Sequence, residues 1–526
     1  MTPLPRPVPA GFEPYQWAST TAEIAARHGL APAQVIRFDG NLPVFPGVPR
    51  VPLGESFARL NNYPEASYRD LRAAAARYAG VEPAWIVPVT GGDGGICLVA
   101  QTYLAAGRRA AVPPKPAYPM YDIATGAAGA EPVADRDGAA VIWVCNPDNP
   151  TGRLIPPEEL LALAQRHPDA IVAVDEAYVE FGARSVVPLI AESPNLLAIR
   201  TLSKAFGFAA LRVGYVVAAP EVAADLDGRR EPAPISAPAA RIAAAALREP
   251  PDVGQTIAER ERIRAALLEA GFECPPSFAN CVWVPLEDAV ETAERLEARG
   301  LVVRRYATGL RITVRLPAEN DLLLSALGAG PPPRTSRSGL VVRTTAETAL
   351  RVSLVLEGQG RARVATGIGF LDHLLTLLAF HGGLDLELLA AGDLDVDEHH
   401  TVEDVLAALG AALADALGSR DGVARYGSAT VPMDEARATA AIDLVRRPHA
   451  EIALAFRDER VGGLAPTLLP HALERFAHEA LVTLHVEASG EDDHHVAEAA
   501  FKALGRALRE ACAAAGSGVA STKGAL

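Results

Sequence analysis

Short apolar runs alternate with amphipathic segments over the first 328 residues. The runs WIVPV, AAVIWVC, AIVAVD and LLAIRT have the length of strands, and segments such as PPEELLALAQRH repeat apolar residues at helical spacing. This alternation predicts an α/β fold, a mostly parallel sheet covered by helices. Functional side chains collect at the carboxyl ends of such strands, so the polar residues that follow each run are the candidate site residues.

A repeat organises the C-terminal part of the chain. In DEHHTVED (397–404), placed at the head of a helix, the residues that follow form one apolar stripe. The segment DDHHVAEAAF repeats this pattern, and each copy is preceded by a helical segment with one histidine, LDHLLTLLAF or LPHALERFAH. The pattern predicts an α+β domain made of two similar halves, each with a histidine-bearing helix, a strand, an acidic loop and a His-His-x-x-Glu helix.

The segment GAGPPPRTSRSG separates the two patterns. Its glycines, prolines and serines lack any apolar period, which is typical of a semi-stiff linker. We therefore predict one domain over residues 1–328, a linker over 329–338 and a second domain over 339–526.

Charge and cysteine content narrow the class of protein. Asp and Glu outnumber Lys and Arg by 64 to 49, which argues against nucleic-acid and anionic-membrane partners. No apolar stretch reaches the length of a membrane span, and prolines occupy the start where a signal peptide needs an apolar run. The five cysteines show no paired spacing, which fits a reducing compartment. We expect a cytoplasmic globular protein.

The histidine repeat is suited to metal binding. On a helix, Glu403 lies about 40° from His399 and about 60° from His400, so it can share a metal with either. The two histidines diverge by about 100°, which predicts that they serve different metals. No cysteine lies nearby, and imidazole with carboxylate ligands suits manganese, iron or zinc. The second copy offers His494, His495 and Glu498 in the same pattern.

Chemistry-bearing residues follow the predicted strands of the first domain. TGGDGGI (90–96) supplies glycines and free amides at a helix start, a pattern that can cradle phosphate. The segments NPDNPTG, VDEAY and TLSKAFGFAALR follow the next three strands. Lys204 is one of only four lysines, and a primary amine can form an imine with an aldehyde where arginine cannot.

These three segments resemble the pyridoxal-phosphate aminotransferases of fold type I, and most closely the histidinol-phosphate aminotransferases, over residues 30–325. The resemblance implies that Lys204 carries pyridoxal 5′-phosphate and that Asp175 faces its ring nitrogen. It further implies that Tyr178 and Asn149 contact the phenolic oxygen of the cofactor and that Tyr118 stacks on its ring. The cofactor phosphate would be held by Ser203, Arg212 and the amides of Gly92 and Asp93, and Tyr63 would contact the cofactor phosphate of a neighbouring subunit. Arg304 and Arg311 would bind the substrate phosphate. Gly94 stands where such enzymes usually have an acidic residue.

Residues 340–526 resemble the imidazoleglycerol-phosphate dehydratases. The motifs are RTTAETALRVSL, TGIGFLDHLL, GDLDVDEHHTVEDV, PMDEA, HHVAEAAFKALGRALREA and STKG. The resemblance implies a shell-like oligomer with two manganese ions per chain, and catalytic roles for Glu403 and Glu498. The implied metal ligands are His373, His399, His400, Glu403, His471, His494, His495 and Glu498, and the implied substrate contacts are Glu347, Arg425, Arg447, Ser521 and Lys523.

The two resemblances agree with each other. Imidazole acetol phosphate, the product of such a dehydratase, is the substrate of such an aminotransferase. We therefore expect a bifunctional histidine-biosynthesis enzyme that also uses glutamate and 2-oxoglutarate and forms homo-oligomers. Two alternatives stay open for the first domain: specificity for another aromatic or phosphorylated amino acid, or an inactive scaffold.

Overall fold

The computed structural model describes residues 17–47 and 60–516, together with residues 15, 51 and 518. Within that part the chain forms two compact units. The first comprises Phe38–Glu294 and Val303–Val314 with the residues before Ser19; the second comprises Ser19–Arg37, Arg295–Val302 and the chain from Arg315 onward. These limits differ from the boundary at 329–338, which was drawn from sequence composition and stays a prediction.

The described residues form the helices whose bounds follow, and none of these is long and apolar enough to cross a membrane. Their bounds are α1 Thr21–His28, α2 Arg69–Ala79, α3 Gly91–Tyr103, α4 Met120–Ala127, α5 Pro157–Arg166, α6 Pro220–Asp227, α7 Ala237–Arg248, α8 Gly254–Glu269, α9 Ala289–Glu297, α10 Pro317–Ala326, α11 Gly369–Gly382, α12 His399–Leu417, α13 Leu468–Ala480 and α14 Asp493–Ala511.

A seven-stranded sheet forms the centre of the first unit. Its order is β2-β8-β7-β6-β5-β3-β4, and β3 to β7 are parallel while β8 runs antiparallel to both of its neighbours. The four apolar runs of the sequence are β2, β5, β6 and β7, which confirms the predicted mostly parallel sheet. The strands are β2 Ile86–Val89, β3 Arg109–Ala111, β4 Glu131–Val133, β5 Val141–Cys145, β6 Ile171–Asp175, β7 Leu196–Thr201 and β8 Gly214–Ala218.

A smaller sheet has the strand order β1-β10-β11-β9. Its strands are β1 Ile36–Phe38, β9 Cys281–Pro285, β10 Leu301–Tyr306 and β11 Gly309–Thr313. The strand β11 runs antiparallel to β9 and β10, and its register pairs Arg311 with Arg304. Residues 311 and 313 share one face of β11 because side chains alternate along a strand.

The second unit contains the predicted duplication. Two four-stranded sheets have the orders β12-β13-β15-β14 and β16-β17-β19-β18, and in each the third strand of its half pairs parallel with the fourth. Each half runs strand, strand, strand, helix, strand, helix. The strands are β12 Ser338–Thr344, β13 Thr348–Val355, β14 Ala362–Ala365, β15 Asp385–Gly392, β16 Tyr426–Met433, β17 Ala436–Asp443, β18 His449–Leu454 and β19 Thr483–Ser489.

One apolar core joins the two halves. Helix α12 packs against α13, and α11 packs against α14, so each contact pairs a helix of one half with a helix of the other. The predicted stripe on α12 is fully buried in this core: Val402, Val405, Leu406, Leu409 and Leu413. The helices that carry the histidines are therefore held in place by apolar burial across the duplication.

The two sheets of the duplication differ on their other faces. On β17 and β19 the alternate residues Thr439, Ala441 and His485 are exposed. On β13 and β15 the corresponding face is buried beneath Ser19–Arg37 and α10, which belong to the same unit.

Buried ion pairs line the covered face. Glu387 is fully buried and lies 2.8 Å from Arg315, 3.0 Å from Arg351 and 2.8 Å from Arg363. Glu319 lies 2.8 Å from Arg315. A buried carboxylate is tolerated only with such partners, since desolvation penalises an unpaired charge.

We expect Glu387→Gln to destabilise the second unit by about 3 kcal/mol, because it leaves buried guanidinium groups without their shared carboxylate. The midpoint of urea unfolding should fall, measured by hydrogen exchange of the β15 amides. Glu451→Gln is the matched control, since Glu451 belongs to the same unit and its contact with His449 is exposed and should contribute little. Equal midpoints for the two variants would contradict this account.

Candidate active sites

The predicted residues of the first unit gather at one edge of the seven-stranded sheet. Asn149 follows β5, Asp175 ends β6, and Lys204 follows β7. Helix α3 begins directly after β2. Parallel strands end at the same edge, so the sequence order of these residues becomes spatial proximity.

Asp175 is a buried carboxylate at the end of β6. Burial raises its pKa to about 6, although hydrogen bonds from the Tyr121 hydroxyl (2.9 Å) and the Ala177 N–H (3.1 Å) oppose the shift. A cationic N–H group placed against Asp175 restores the ionised form. A protonated pyridine nitrogen is such a group.

Lys204 is the amine of this edge. Burial, followed by the positive charge of Arg311, lowers its pKa to about 8. A substantial fraction of the amine is therefore neutral near physiological pH, and the neutral form is the nucleophile. Its Nζ lies 5.7 Å from the centre of the Tyr178 ring.

The start of α3 is built for an anion. Gly91 has φ 72°, and a side chain at that position would place its Cβ 3.2 Å from the Arg212 guanidinium. Arg212 lies 2.9 Å from the Asp93 carboxylate, which also accepts the Tyr118 hydroxyl at 2.7 Å. Backbone amides at a helix start, together with Arg212, suit a phosphate group.

Gly94, Ser203 and Tyr63 have different surroundings. A Cβ at Gly94 would lie 2.3 Å from Thr90 Oγ1, so the glycine that departs from the resemblance fits tightly against Thr90. Ser203 is buried, and its hydroxyl accepts the Thr201 hydroxyl at 2.8 Å. Tyr63 is 95% exposed.

Strand β11 contacts the site from the small sheet. Buried Arg311 donates to Asn149 Oδ1 at 2.7 Å and to the Asp39 carbonyl, while its Nε is buried with no partner among the described residues. Thr313 and Asn41 form a second pair, and Asn41 Nδ2 donates to the Tyr178 hydroxyl at 3.1 Å. Arg304 lies beside Arg311 on β10 and is half-buried.

Sequence reasoning missed Asn41, Thr313 and Tyr121. Asn41 and Thr313 are separated by 272 residues, so no local pattern connects them. Tyr121 lies three residues after Tyr118, and its place in the same PAYPMY segment was the one available signal.

The second unit forms two histidine–glutamate clusters. One contains His373, His494 and Glu498, and the other contains His399, Glu403 and His471. In each cluster the nitrogen and oxygen ligand atoms lie within 4.8 Å of one another. Exchanging the two halves maps one cluster onto the other, and each cluster takes residues from both halves.

His400 and His495 lie outside the clusters of their own chain. The ring planes of His399 and His400 meet at 88°, and those of His494 and His495 meet at 85°. A hydrogen bond with Asp393 (3.0 Å) raises the pKa of His400, and a hydrogen bond with Glu435 (2.9 Å) raises that of His495. Adjacent histidines therefore point in different directions, as their helical spacing predicts.

A cation orients each cluster glutamate. Glu498 Oε1 lies 2.6 Å from His373 Nε2, and its Oε2 accepts from Lys502 at 2.6 Å. Burial alone would raise the pKa of Glu498, but the hydrogen bonds from His373 and Lys502 lower it to about 2. Glu403 Oε2 lies 3.3 Å from His471 Nε2, and its Oε1 lies 3.1 Å from Arg475. Both carboxylates can thus present one oxygen to a metal.

The predicted substrate contacts of this domain are dispersed. Glu347 Oε2 lies 3.8 Å from His400 Nδ1. Arg425 is paired with Asp443 at 2.8 Å and 3.0 Å, and Arg447 is exposed. Ser521 and Lys523 lie outside the described residues.

Comparisons with known proteins identify the families of the two parts of the chain. A family model described as aminotransferase class I and II matches residues 49–327, more than half of the chain. The fold is similar to that of a histidinol-phosphate aminotransferase from Sinorhizobium meliloti, solved in complex with pyridoxal-5′-phosphate. That match has a TM-score of 0.52 and 26% identity, and it covers 60% of this chain and 96% of that one.

A second family model, imidazoleglycerol-phosphate dehydratase, matches residues 366–508. The dehydratase of Granulibacter bethesdensis is 49% identical over 195 residues, which are 36% of this chain and all of that protein. The dehydratase of Methanothermobacter thermautotrophicus is 46% identical over 192 residues, 36% of this chain and 99% of the relative. The chain therefore belongs to two families at once, the class I and II aminotransferases in its N-terminal part and the imidazoleglycerol-phosphate dehydratases in its C-terminal part.

Proposed function

We propose that this chain catalyses two steps of histidine biosynthesis. The C-terminal domain dehydrates imidazole glycerol phosphate to imidazole acetol phosphate. The N-terminal domain exchanges the amino group between imidazole acetol phosphate and histidinol phosphate, with glutamate and 2-oxoglutarate as its other substrates. The observation that carries this proposal is the presence of both families on one chain, because the product of one reaction is the substrate of the other.

The edge of the seven-stranded sheet fits pyridoxal 5′-phosphate. Asp175 would face the ring nitrogen, Tyr118 the ring, and Tyr178 and Asn149 the phenolic oxygen. The phosphate would lie at the amides of Gly92 and Asp93 with Ser203 and Arg212, and Tyr63, which is exposed, would reach the phosphate of a dimer partner. When bound, the cofactor supplies an electron sink for the carbon that loses a proton.

Lys204 has two functions in this proposal. It would hold the cofactor covalently in the absence of substrate, and, released when substrate is bound, its neutral Nζ would accept a proton from the substrate carbon and return it. A pKa of about 8 suits both directions of transfer near neutral pH. Arg304 and Arg311 would bind the substrate phosphate, and the unpartnered Nε of Arg311 is available to an anion.

The two histidine–glutamate clusters fit divalent metals, for which we propose manganese, two ions per chain. Nitrogen and oxygen donors without sulfur suit this metal. The metals would hold the substrate imidazole and store its negative charge. His400 and His495 diverge from the clusters of their own chain, so we propose that they complete sites on neighbouring chains in a shell-like oligomer. Glu347, Arg425, Arg447, Ser521 and Lys523 would bind substrate there. The cytoplasmic location stays a prediction.

Lys204→Ala is expected to abolish covalent attachment of the cofactor and transamination while dehydration continues. Only a primary amine can form the bond, and Lys204 lies among the site residues. Borohydride reduction followed by peptide mapping should find the cofactor on the peptide that contains Lys204. Lys115→Ala is the control, because Lys115 is exposed and paired with Asp122. Label on Lys115 would overturn the assignment.

Arg304→Ala should raise the KM for histidinol phosphate roughly tenfold or more, because a charge-assisted contact with phosphate is lost. The adjacent Arg305→Ala is the control, since Arg305 is exposed and paired with Glu294. Histidinol without phosphate should be a poor substrate for the wild type and should be less affected by Arg304→Ala. Equal activity on histidinol phosphate and on histidinol would favour a different aminotransferase specificity.

Removal of the metal by chelation should stop dehydration and leave transamination in place. Elemental analysis should find about two metals per chain in the wild type. His399→Ala should lower this content, because it removes a ligand from one cluster. His478→Ala is the control, because His478 is exposed and lies outside both clusters. Unchanged dehydration in the metal-free protein would contradict the proposed metal sites.

Light scattering should also record a smaller particle after chelation, because metal that binds the assembled form favours assembly.

A further inference from the structure

Asn41 donates a hydrogen bond to the Tyr178 hydroxyl. Asn41 is 1% exposed, and its Nδ2 donates to the Tyr178 oxygen at 3.1 Å. A phenolic oxygen that accepts this hydrogen bond keeps its own hydrogen free for another acceptor. The Tyr178 hydroxyl can therefore donate its hydrogen to a second group.

Thr313 fixes the direction of the Asn41 amide. The Thr313 hydroxyl accepts the Asn41 backbone N–H at 3.0 Å and donates to Asn41 Oδ1 at 2.9 Å. The opposite amide orientation would place the amide nitrogen against the Thr313 hydroxyl, and the Thr313 hydrogen would lose its acceptor. Thr313 is also buried, so water cannot replace these bonds at low cost.

The backbone at Asn41 adapts to this contact. Its φ of 48° lies in the left-handed region, which asparagine and aspartate enter more readily than other side chains. The Cys281 sulfur lies 3.7 Å from the same Nδ2 and closes the remaining side of the amide. Together these contacts fix the direction of the hydrogen bonds: Thr313 donates to Asn41, and Asn41 donates to Tyr178.

We propose that Asn41 is a positioning residue that turns the Tyr178 hydroxyl into a donor toward the phenolic oxygen of bound cofactor, and so favours the unprotonated nitrogen of cofactor-bound Lys204. This inference rests on the proposed function of the first domain. Burial also raises the pKa of Tyr178, so the hydroxyl keeps its hydrogen. Asn41 touches neither the cofactor nor the substrate in this account and acts through Tyr178.

The test is a pH titration of the visible absorbance of the full chain loaded with pyridoxal 5′-phosphate. Asn41→Asp preserves size and backbone tolerance but reverses the polarity, because a carboxylate only accepts. The Tyr178 hydrogen then turns to residue 41. We expect the midpoint of the titration to rise by about one pH unit or more.

A double-mutant cycle separates the effect transmitted through Tyr178 from the direct electrostatic effect of the new charge on the titrating nitrogen. Tyr178→Phe alone should also raise the midpoint. If Asn41 acts through Tyr178, Asn41→Asp should raise it much less in the Tyr178→Phe background than in the wild type. An equal rise in both backgrounds would show a through-space charge effect and overturn the inference.

Two further results complete the test. If Asn41→Asp fails to fold or to bind cofactor, Asn41→Gly is titrated instead; a smaller rise supports the inference, and an unchanged midpoint overturns it. Lys204→Ala reports on the proposed function separately. A pH-dependent absorbance change that survives in Lys204→Ala defeats the proposed function, whereas its loss there together with an unchanged midpoint in Asn41→Asp defeats this inference alone.

Discussion

Each histidine–glutamate cluster takes its ligands from both copies of the duplicated fold, and this constraint governs the second unit. His373 of the first copy meets His494 and Glu498 of the second, and His471 of the second meets His399 and Glu403 of the first. Neither copy can assemble a cluster alone. Helices of opposite halves pack against each other around one continuous apolar core. This packing brings the ligand-bearing helices together.

The two copies differ in the residues around the clusters. The cluster glutamates use different cations, Arg475 for Glu403 and Lys502 for Glu498. The outward sheet faces differ more: one has exposed Thr439 and His485, and the other buries Glu387 among arginines. Each buried charge in that network depends on the others, since an unpaired charge in a low-dielectric interior is strongly unfavourable.

In the first unit, burial shifts the two central ionisable groups toward their neutral forms. It raises the pKa of Asp175 and lowers that of Lys204. The lowered pKa makes an amine available for covalent chemistry, and the raised pKa prepares a carboxylate for a cationic partner. The small sheet then orients the neighbours of these groups, because Arg311 and Thr313 share the face of β11 that contacts Asn149 and Asn41.

Local sequence patterns determined much of this protein. Apolar runs of strand length gave β2, β5, β6 and β7, and the repeated His-His-x-x-Glu pattern gave the duplication and the divergent histidines. These features depend on neighbours within a few residues, so helical and strand periodicity encodes them directly. The segments after the strands likewise placed Asp175 and Lys204 at one edge, because parallel strands end together.

Only the tertiary structure decided which surfaces meet. The sequence showed that each repeat supplies enough ligands for one cluster. It did not show that His373 and His471 each join the cluster of the opposite half. It marked Arg311 as a phosphate ligand, but not its bond to Asn149, and it gave no sign that Asn41 would meet Thr313. Periodicity shows which face of an element is buried; the partner that covers that face is chosen by packing between segments far apart in the chain.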